Sequence, residues 1–391
     1  MDYKKESIKL HQKLKGKIEM ISRVKIKSTY DLVTAYSPGV AQPCLEIQKH
    51  PELSYHYTRR HNMVAVITDG SAVLGLGNIG PEASMPVMEG KCVLFKTFGS
   101  VDAIPICLRT QDVDEIVRTI ALLAGSFGGI NLEDISAPRC FEIEERLKAI
   151  CDIPVFHDDQ HGTAVVVGAA LHNALKLAQK HIASIKIVIN GIGAAGTAIA
   201  KYLLCLGVKN LVLCDRFGIL HEDDDGLSSV HKALASQTNR TKMKGYLADA
   251  LVHADVFIGV SGPNCVTKAM IQSMNEKPIV FAMANPDPEI PRNDALEAGA
   301  FIVGTGSSND PNQINNVLAF PGIFRGALDA KASDITYAMM HAASKAIAEA
   351  IPAHLISTDY IIPSPLDPLV HQEVAKAVKE TALRTQVRKT H

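Results

Sequence analysis

Two pairs of adjacent carboxylates are the groups in this sequence best placed to do chemistry. Glu133-Asp134 lies in the stretch Asn131–Ile135, and Asp158-Asp159 follows Val155-Phe-His. Neighbouring carboxylates repel each other unless a proton or a cation lies between them. Two such pairs, separated by one helical segment, can meet at a hard cation such as Mg²⁺ or Mn²⁺. Aspartates are also common as helix caps and in solvated turns, so each pair alone is open to both interpretations.

A tyrosine and a lysine are further candidates. Tyr36 precedes the turn signal Pro38-Gly39, which would hold the phenol at a fixed point of a stiff loop; such a tyrosine is usually only a packed aromatic. The sequence favours a helix over 81–90 and then a strand that begins at Gly90 and runs to Phe95. That strand would carry Lys91 near its start.

A glycine-rich segment in the second half of the chain has the full context of a nucleotide-binding unit. A predicted strand, Ile185–Asn190, leads into Gly191-Ile-Gly-Ala-Ala-Gly196, and a predicted helix then runs from Thr197 to Leu206. A second strand, Asn210–Asp215, ends in an acid. This order of strand, glycine turn, helix, strand and acid is typical of a dinucleotide-binding βαβ unit.

Each residue of that unit has a physical role in the interpretation. Gly191 permits the tight turn, Gly193 lets the backbone approach a pyrophosphate, and Gly196 lets the helix pack on the strand. Free N–H groups at the helix N-terminus attract the phosphates. Asp215 would accept hydrogen bonds from the ribose hydroxyls, which favours NAD, although Arg216 could instead bind the 2′-phosphate of NADP. The predicted cofactor-binding residues are Gly191, Gly193, Ala194, Ala195, Gly196, Asp215, Arg216, Ser261 and Asn285.

An earlier segment has the same glycine spacing without that context. Gly75, Gly77 and Gly80 match the pattern, but Pro81 follows at once and no acid ends a strand about 20 residues later. We interpret this segment as tight backbone packing near a ligand rather than as a second dinucleotide site.

The elements around these residues predict an α/β protein with two domains. Buried-strand patterns alternate with helical ones, and both acidic pairs follow strands, at the edge where open α/β sheets bind ligands. We predict an N-terminal α/β substrate domain over 1–160. Residues 161–391 are predicted to form a Rossmann-type, doubly wound parallel-sheet NAD(P)-binding domain with C-terminal helices. Predicted helices in the second half are Ala164–Gln179, capped at Gly162-Thr163, Ser333–Ile351, capped by Ser333, and Val370–Leu383.

Composition excludes several classes of protein. Of the 391 residues, 47% are hydrophobic and 21% charged, which is ordinary for a globular protein. The net charge of −1 gives no electrostatic footprint for nucleic acid or an anionic membrane. The sequence shows neither a membrane-spanning run nor a secretory signal. Eight cysteines without a CxxC pair indicate buried thiols in a reducing compartment, so we expect a cytoplasmic protein.

Taken together and in order, these motifs resemble malic enzyme in the short form found in bacteria, archaea and some protists. The resemblance covers the chain from about Tyr30 to Pro368, and the ordered set carries it rather than any single motif. Its members are Tyr36-Ser-Pro-Gly, Thr68-Asp-Gly with Gly75–Gly80, Glu89-Gly-Lys91, Asn131-Leu-Glu-Asp134, His157-Asp-Asp-Gln, the Gly191 segment, Asn285-Pro, and Asn316 before Phe320-Pro-Gly.

The resemblance implies an oxidoreductase that decarboxylates L-malate to pyruvate and CO₂, with NAD(P)⁺ reduced and Mg²⁺ or Mn²⁺ required. It implies a homodimer as well. By motif, Lys91 matches the general base, Tyr36 the general acid and Asp158 an assisting carboxylate. The implied metal ligands are Glu133, Asp134 and Asp159, and the implied substrate-side amides are Asn285 and Asn316. One departure is Ala72, where larger relatives carry an arginine that binds a substrate carboxylate. We count His161 neither for nor against the resemblance.

Two other functions remain open at the level of sequence. A malolactic enzyme or an oxaloacetate decarboxylase would use the same site for a different net reaction. A nucleotide-sensing protein without turnover would keep the Gly191 segment but has no use for Lys91, Tyr36 and the carboxylates. Formation of NADH from malate separates these alternatives.

Overall fold

The computed structural model describes residues 3–73 and 75–387, and these form two parallel sheets linked by one long helix. The first sheet contains β1 (Met63–Thr68), β2 (Asp102–Cys107), β3 (Gly129–Leu132) and β4 (Val155–His157), in the order β2-β1-β3-β4. The chain passes from β1 to β2 on one side and then crosses to β3 on the other side. Such a reversal opens a crevice at the carboxyl ends of the strands.

The helices of the N-terminal half fall into two groups. Helices α5, α6 and α7 contribute buried side chains, whereas α1, α2 and α3 contain none. In chain order these helices are α1 (Tyr3–Leu14), α2 (Thr29–Ala35), α3 (Ala41–Lys49), α4 (Ser54–Tyr57), α5 (Pro81–Gly99), α6 (Val113–Leu123) and α7 (Arg139–Ile150).

The second sheet confirms the predicted doubly wound architecture. It contains β5 (Lys186–Asn190), β6 (Asn210–Asp215), β7 (Gly218–Ile219), β8 (Val256–Gly259), β9 (Ile279–Ala282) and β10 (Ile302–Thr305). Its order is β10-β9-β8-β5-β6-β7, and only the short edge strand β7 is antiparallel. The chain leaves β5 toward β6 and returns to β8 on the opposite side, so a second switch point lies between β5 and β8.

The helices of the C-terminal half begin with α8, which leads from the first sheet to the second. They are α8 (Asp158–Ala178), α9 (Ala194–Cys205), α10 (Ser229–Ala235), α11 (Leu247–Leu251), α12 (Lys268–Gln272), α13 (Arg292–Glu297), α14 (Phe320–Ala330), α15 (Tyr337–Glu349) and α16 (Pro368–Arg384). Helix α14 packs back on α5, where the rings of Phe95 and Phe320 lie 4.7 Å apart. The proposed domain boundary at residue 160 falls inside α8 and stays a prediction.

The predicted strand from Gly90 to Phe95 is wrong, because this stretch is the second half of α5. The buried residues of the helix are spaced by three or four positions and include Met88, Lys91, Cys92 and Phe95. That spacing forms one face of a helix. The apolar run Cys-Val-Leu-Phe hid this period, since its middle residues are only half-buried.

Two predicted helix starts are also wrong. Helix α8 begins at Asp158 rather than Ala164, so the second acidic pair occupies its first turn, where free N–H groups favour carboxylates. Helix α15 begins after Thr336, whose side chain accepts a hydrogen bond from the Met339 N–H. The backbone N–H of Ser333 instead donates to the carbonyl of Val387. Thr336 lies three residues beyond the predicted cap Ser333, whereas Gly162-Thr163 lie inside α8.

Candidate active site

A buried lysine lies between carboxylates from two strands of the first sheet. The Nζ of Lys91 on α5 is 2.8 Å from Glu133 Oε1 and 2.5 Å from Asp158 Oδ2. The Lys91 side chain is 8% exposed. Asn316 donates to the same Asp158 oxygen at 2.6 Å. The ring of Phe320 covers the ammonium group, with its centroid 4.1 Å from Nζ. The structure thus brings together Lys91, Asp158 and Asn316, three residues that the sequence predicted for one site.

The other three predicted carboxylates form an oxygen cluster beside this lysine. Oxygens of Glu133, Asp134 and Asp159 lie within 4.8 Å of one another. Glu133 and Asp134 follow β3, and Asp159 follows β4, so the parallel strands deliver them to one edge.

The cluster fits a hard divalent cation. Oδ2 of Asp134 is buried and has no hydrogen-bond partner among residues 3–73 and 75–387, whereas Asn131 donates to Glu133 Oε2 at 2.8 Å. Asp134 has a positive φ of 54°, and its backbone N–H donates to Asp159 Oδ2 at 2.7 Å. An all-oxygen set with an unpaired buried carboxylate oxygen is what Mg²⁺ or Mn²⁺ requires.

The charges at the site are strongly coupled. Burial raises the pKa of Glu133 well above its ordinary value, although Lys91 opposes this, and burial together with Asp159 raises the pKa of Asp134 to about 7. Burial lowers the pKa of Lys91, but the charges of Asp158 and Glu133 outweigh it and raise that pKa overall. These two carboxylates therefore hold Lys91 in its ammonium form.

A second network, which the sequence did not predict, lies behind Asp159. His157 Nε2 is 3.0 Å from Asp159 Oδ2, and His157 Nδ1 is 2.8 Å from Gln160 Nε2. Because the Gln160 amide nitrogen can only donate, His157 Nδ1 accepts and its proton lies on Nε2, at ion-pair distance from Asp159. Gln160 also donates to Glu144, and His161 Nε2 is 2.8 Å from a Glu144 oxygen. His161, which the sequence counted neither for nor against the resemblance, therefore belongs to this network behind Asp159 through its contact with Glu144.

Hydrogen bonds join the loop after β1 to the loop after β3. Arg139 donates to the buried Asp69 at 2.9 Å and to the Ser71 hydroxyl at 2.9 Å. The backbone N–H of Ala72 donates to the carbonyl of Asp134. These hydrogen bonds tie Asp69, Ser71 and Asp134 together.

The Gly191 segment forms the tight turn that its sequence predicts. Gly191 has a φ of 108°, and a Cβ there would lie 2.5 Å from the carbonyl oxygen of Val260. A Cβ on Gly196 would lie 1.7 Å from the carbonyl oxygen of Gly191, whereas Gly193 has no atom within 4 Å of its would-be Cβ. The first and third glycines therefore make room for backbone, and the second leaves an open approach to the start of α9, which includes Ala194 and Ala195.

The remaining cofactor candidates lie around this turn, at the carboxyl ends of neighbouring strands. Asp215 is the last residue of β6, and its carboxylate accepts from the Phe217 N–H at 2.7 Å. The Arg216 guanidinium lies over the ring of Phe217, 4.7 Å from its centroid. Ser261 follows β8, and its hydroxyl accepts from Asn190 at 2.8 Å. The structure thus groups these residues with the switch point between β5 and β8.

Two predicted site residues do not contact the lysine cluster. The amide of Asn285 donates to the carbonyl of Met283 at 3.3 Å, and no hydrogen bond joins it to Lys91 or Asp158 in the described residues. Tyr36 ends α2, is 70% exposed, and its hydroxyl makes no hydrogen bond within 3–73 and 75–387. In the single chain, then, the proposed proton donor lies in solvent.

Among residues 3–73 and 75–387, no helix is long and apolar enough to cross a membrane.

Comparison with known proteins gives matches over most of the chain. Residues 15–148 match the family model described as "Malic enzyme, N-terminal domain", and residues 160–383 match "Malic enzyme, NAD binding domain". The chain is 56% identical over 388 residues to the bifunctional malic/malolactic enzyme of Bacillus subtilis, covering 99% of this chain and 95% of that protein. It is 52% identical over 372 residues to the NAD-dependent malic enzyme of Geobacillus stearothermophilus, covering 95% and 78%.

A solved structure agrees with these relatives. The crystal structure of the NAD-dependent malic enzyme from Thermotoga maritima superposes with a TM-score of 0.93 at 51% identity, covering 96% of this chain and 99% of that one. The similarity therefore extends over both sheets and the helices between them.

Proposed function

Because the chain belongs to the malic enzyme family, we propose that it oxidatively decarboxylates L-malate to pyruvate and CO₂ with reduction of NAD(P)⁺. We propose that it also decarboxylates oxaloacetate at the same site. The observation that supports this best is the contact between Lys91 and Glu133, which joins a buried amine to the oxygen cluster. The test is the appearance of NADH absorbance with malate, Mn²⁺ and NAD⁺. Absence of any malate-dependent reduction would refute the proposal.

Lys91 is proposed to remove the hydroxyl proton of malate while hydride leaves for the nicotinamide. An ammonium must first lose a proton, and Asp158 offers an acceptor 2.5 Å away. Burial raises the pKa of Asp158, so that carboxylate is prepared to take the proton. Asn316 holds the receiving oxygen in place at 2.6 Å. In this proposal Asp158 sets the protonation state of Lys91 rather than touching the substrate.

Glu133, Asp134 and Asp159 are proposed to hold Mg²⁺ or Mn²⁺. When bound, the cation would polarise the hydroxyl and keto oxygens of the substrate and stabilise the negative charge that develops as CO₂ leaves. The buried, unpartnered Asp134 Oδ2 supports this assignment. Isothermal titration with Mn²⁺ alone tests it without reference to turnover, and a protein that shows no binding heat would argue against it.

The cofactor is proposed to bind at the Gly191 turn, with NAD⁺ preferred to NADP⁺. Asp215 ends β6 with its carboxylate at the carboxyl edge of the sheet, where it would accept from ribose hydroxyls and repel a 2′-phosphate. Arg216 is drawn toward Phe217 in this structure. Parallel assays with NAD⁺ and NADP⁺ test the preference, and a higher kcat/KM with NADP⁺ would contradict it.

A malolactic reaction is a second candidate function. The Bacillus subtilis relative, 56% identical over 99% of this chain, carries both activities in its name. The two reactions share the site but differ in product, because lactate formation consumes the hydride that malate oxidation releases. Measuring lactate and net NADH in the same sample separates them.

We propose a homodimer as the working form. Helices α1, α2 and α3 bury no residue, although this part of the chain exposes several large apolar side chains. Met20 is 89% exposed and Ile21 76%. Ordering such a segment costs conformational entropy that burial normally offsets. A second copy would cover this surface, and Tyr36 lies on it. Light scattering tests the dimer, and a monomeric mass at assay concentration would exclude it.

A further inference from the structure

A buried carboxylate outside the predicted site holds the cofactor-side loops. Glu289 is fully buried, and no lysine, arginine or histidine of the described residues pairs with it. Its Oε1 accepts from the Ser261 backbone N–H at 2.9 Å and from the Ser261 hydroxyl at 3.3 Å. Its Oε2 accepts from the Ala284 N–H at 3.0 Å. A buried carboxylate is costly unless such donors satisfy it, so these contacts define its position.

The donors belong to the loops that follow two neighbouring strands. Ser261 follows β8, and Ala284 follows β9 and directly precedes Asn285. Main-chain bonds reinforce the link, because the Val266 N–H donates to the carbonyl of Glu289 at 3.0 Å. Glu289 therefore fixes the distance between Ser261 and the Asn285 loop.

The chain also makes room for this carboxylate. A Cβ on Gly259, the last residue of β8, would lie 2.3 Å from the Glu289 carboxyl carbon. Any other residue at that position would push the carboxylate away from its donors. The glycine at this strand end is thus explained by Glu289 rather than by a turn.

The link continues to the nucleotide turn. The Ser261 hydroxyl accepts from the Asn190 side chain at 2.8 Å, and Asn190 is the last residue of β5, directly before Gly191. Hydrogen bonds to one carboxylate and one hydroxyl therefore join the ends of β5, β8 and β9.

We infer that Glu289 is a positioning residue that sets the register between the nucleotide turn, Ser261 and Asn285, and thereby aligns cofactor with substrate. The inference rests on the proposed function for the roles of those residues. Glu289 itself does not touch the reacting atoms. Its loss should weaken binding of the nucleotide and of malate more than it slows the chemical step.

The opposite edge of the same sheet offers a matched control. Asp255 accepts from the Lys186 N–H at 2.8 Å and from Lys180 Nζ at 2.7 Å, so it also ties strand ends through a part-buried carboxylate. It lies before β8 rather than after it. A purely structural role for Glu289 predicts that Glu289→Gln and Asp255→Asn behave alike.

The experiment compares these variants by NADH fluorescence titration, steady-state kinetics and thermal unfolding. In Glu289→Gln an amide N–H₂ replaces one acceptor and faces a backbone N–H. We expect the NADH Kd and the KM values for NAD⁺ and malate to rise about tenfold, with a smaller fall in kcat. Asp255→Asn should lower the unfolding temperature and leave Kd and KM within about twofold of wild type.

Gly259→Ala is an independent test, since the added methyl group displaces the Glu289 carboxylate without replacing it. It should reproduce the rise in Kd, and Glu289→Ala should add little further in the double variant, because the two changes break the same link. An NADH Kd within about twofold of wild type in both Glu289→Gln and Gly259→Ala would overturn the inference. If wild type binds NADH but does not oxidise malate, the proposed function fails, while the titration still tests the role of Glu289.

Discussion

The carboxyl edges of the two sheets differ in chemistry although each sheet contains a switch point. The first sheet is parallel, and the second is parallel apart from its edge strand β7. The first edge gathers carboxylates after β3 and β4 and one lysine from α5. The second gathers glycines, a serine and an amide, and its buried acid, Glu289, accepts from two backbone N–H groups and one hydroxyl. The topology provides a crevice in each case, and the loop residues decide whether it attracts a cation or a dinucleotide.

The two glycine-rich segments show the same difference, because they have the same glycine spacing but different roles. Gly75, Gly77 and Gly80 all have φ between 73° and 79°, and a Cβ on Gly77 or Gly80 would meet no atom of residues 3–73 and 75–387 within 4 Å. These glycines serve backbone conformation in a long loop between β1 and α5. In the second segment Gly196 has an ordinary φ but no space for a Cβ. The spacing alone does not identify a nucleotide site.

The largest expected effect comes from removing the amine of the first edge. Lys91→Ala should lower kcat for malate oxidation by about 10²–10⁴-fold, as expected for loss of a general base. Binding of NADH at the second edge should not change. Lys96→Ala is the matched control, because Lys96 lies on the same helix but is 61% exposed and pairs with Asp102. Wild-type turnover in Lys91→Ala would show that Lys91 is not the general base.

A second test asks whether a carboxylate of the first edge binds the cation. Asp159→Asn should raise the Mn²⁺ concentration needed for half-maximal activity, and the Mn²⁺ Kd measured by calorimetry, by at least about tenfold. The amide keeps the shape but removes a ligand charge and the partner of His157. Asp152→Asn, 41% exposed, is the control. An unchanged Mn²⁺ titration in Asp159→Asn would show that the cation does not depend on this carboxylate.

A pair of glycine substitutions tests the contrast between the two segments directly. Gly196→Ala should weaken NADH binding by about tenfold or more, because the methyl group collides with the Gly191 carbonyl and displaces the turn. Gly80→Ala has space for the methyl group but a φ of 79° with a ψ of 172°, a conformation essentially confined to glycine, so it should cost about 1–3 kcal/mol of stability. Its effect on NADH binding should be small. Equal losses of NADH affinity in the two variants would mean that both segments serve the nucleotide.

The smallest effect is expected from the acid at the end of β6. Asp215→Ser should narrow the preference for NAD⁺ over NADP⁺ by about tenfold, since a hydroxyl still accepts from ribose but no longer repels a phosphate. Malate KM should stay within about twofold. The ratio of kcat/KM for the two cofactors is the measurement. If that ratio does not move, Asp215 does not contact the ribose.

Some elements were predictable because their signals are local. The strands β5 and β6 match their predicted bounds to within a residue, and the Gly191 turn follows from residues that are neighbours in the chain. The acidic pairs were likewise predictable as residues after strands, since parallel strands bring their carboxyl ends to one edge. Lys91 was predicted near the start of a strand and was assigned to this site only through the family resemblance, whereas it lies on α5.

Other features depend on contacts between distant parts of the chain. Glu144, His161 and Glu289 carry no pattern that marks them, because a buried carboxylate is recognisable only from the donors that surround it. The same applies to Gly162, where a Cβ would lie 1.8 Å from Asp158 Oδ1. From sequence this glycine suggested a helix cap, and in the structure it makes room for the carboxylate inside α8.

The sequence by itself determined the family, the α/β class, the nucleotide turn and the residues of the acidic edge, because strands, turns and strand-end residues are specified by short-range pattern. Only the tertiary structure decided that Glu133 and Asp158 contact Lys91 and that Tyr36 lies in solvent in the single chain. It also decided how the ends of β5, β8 and β9 are held together. The physical reason is that hydrogen bonds and ion pairs act over about 3 Å in space, whatever the separation of their partners along the chain.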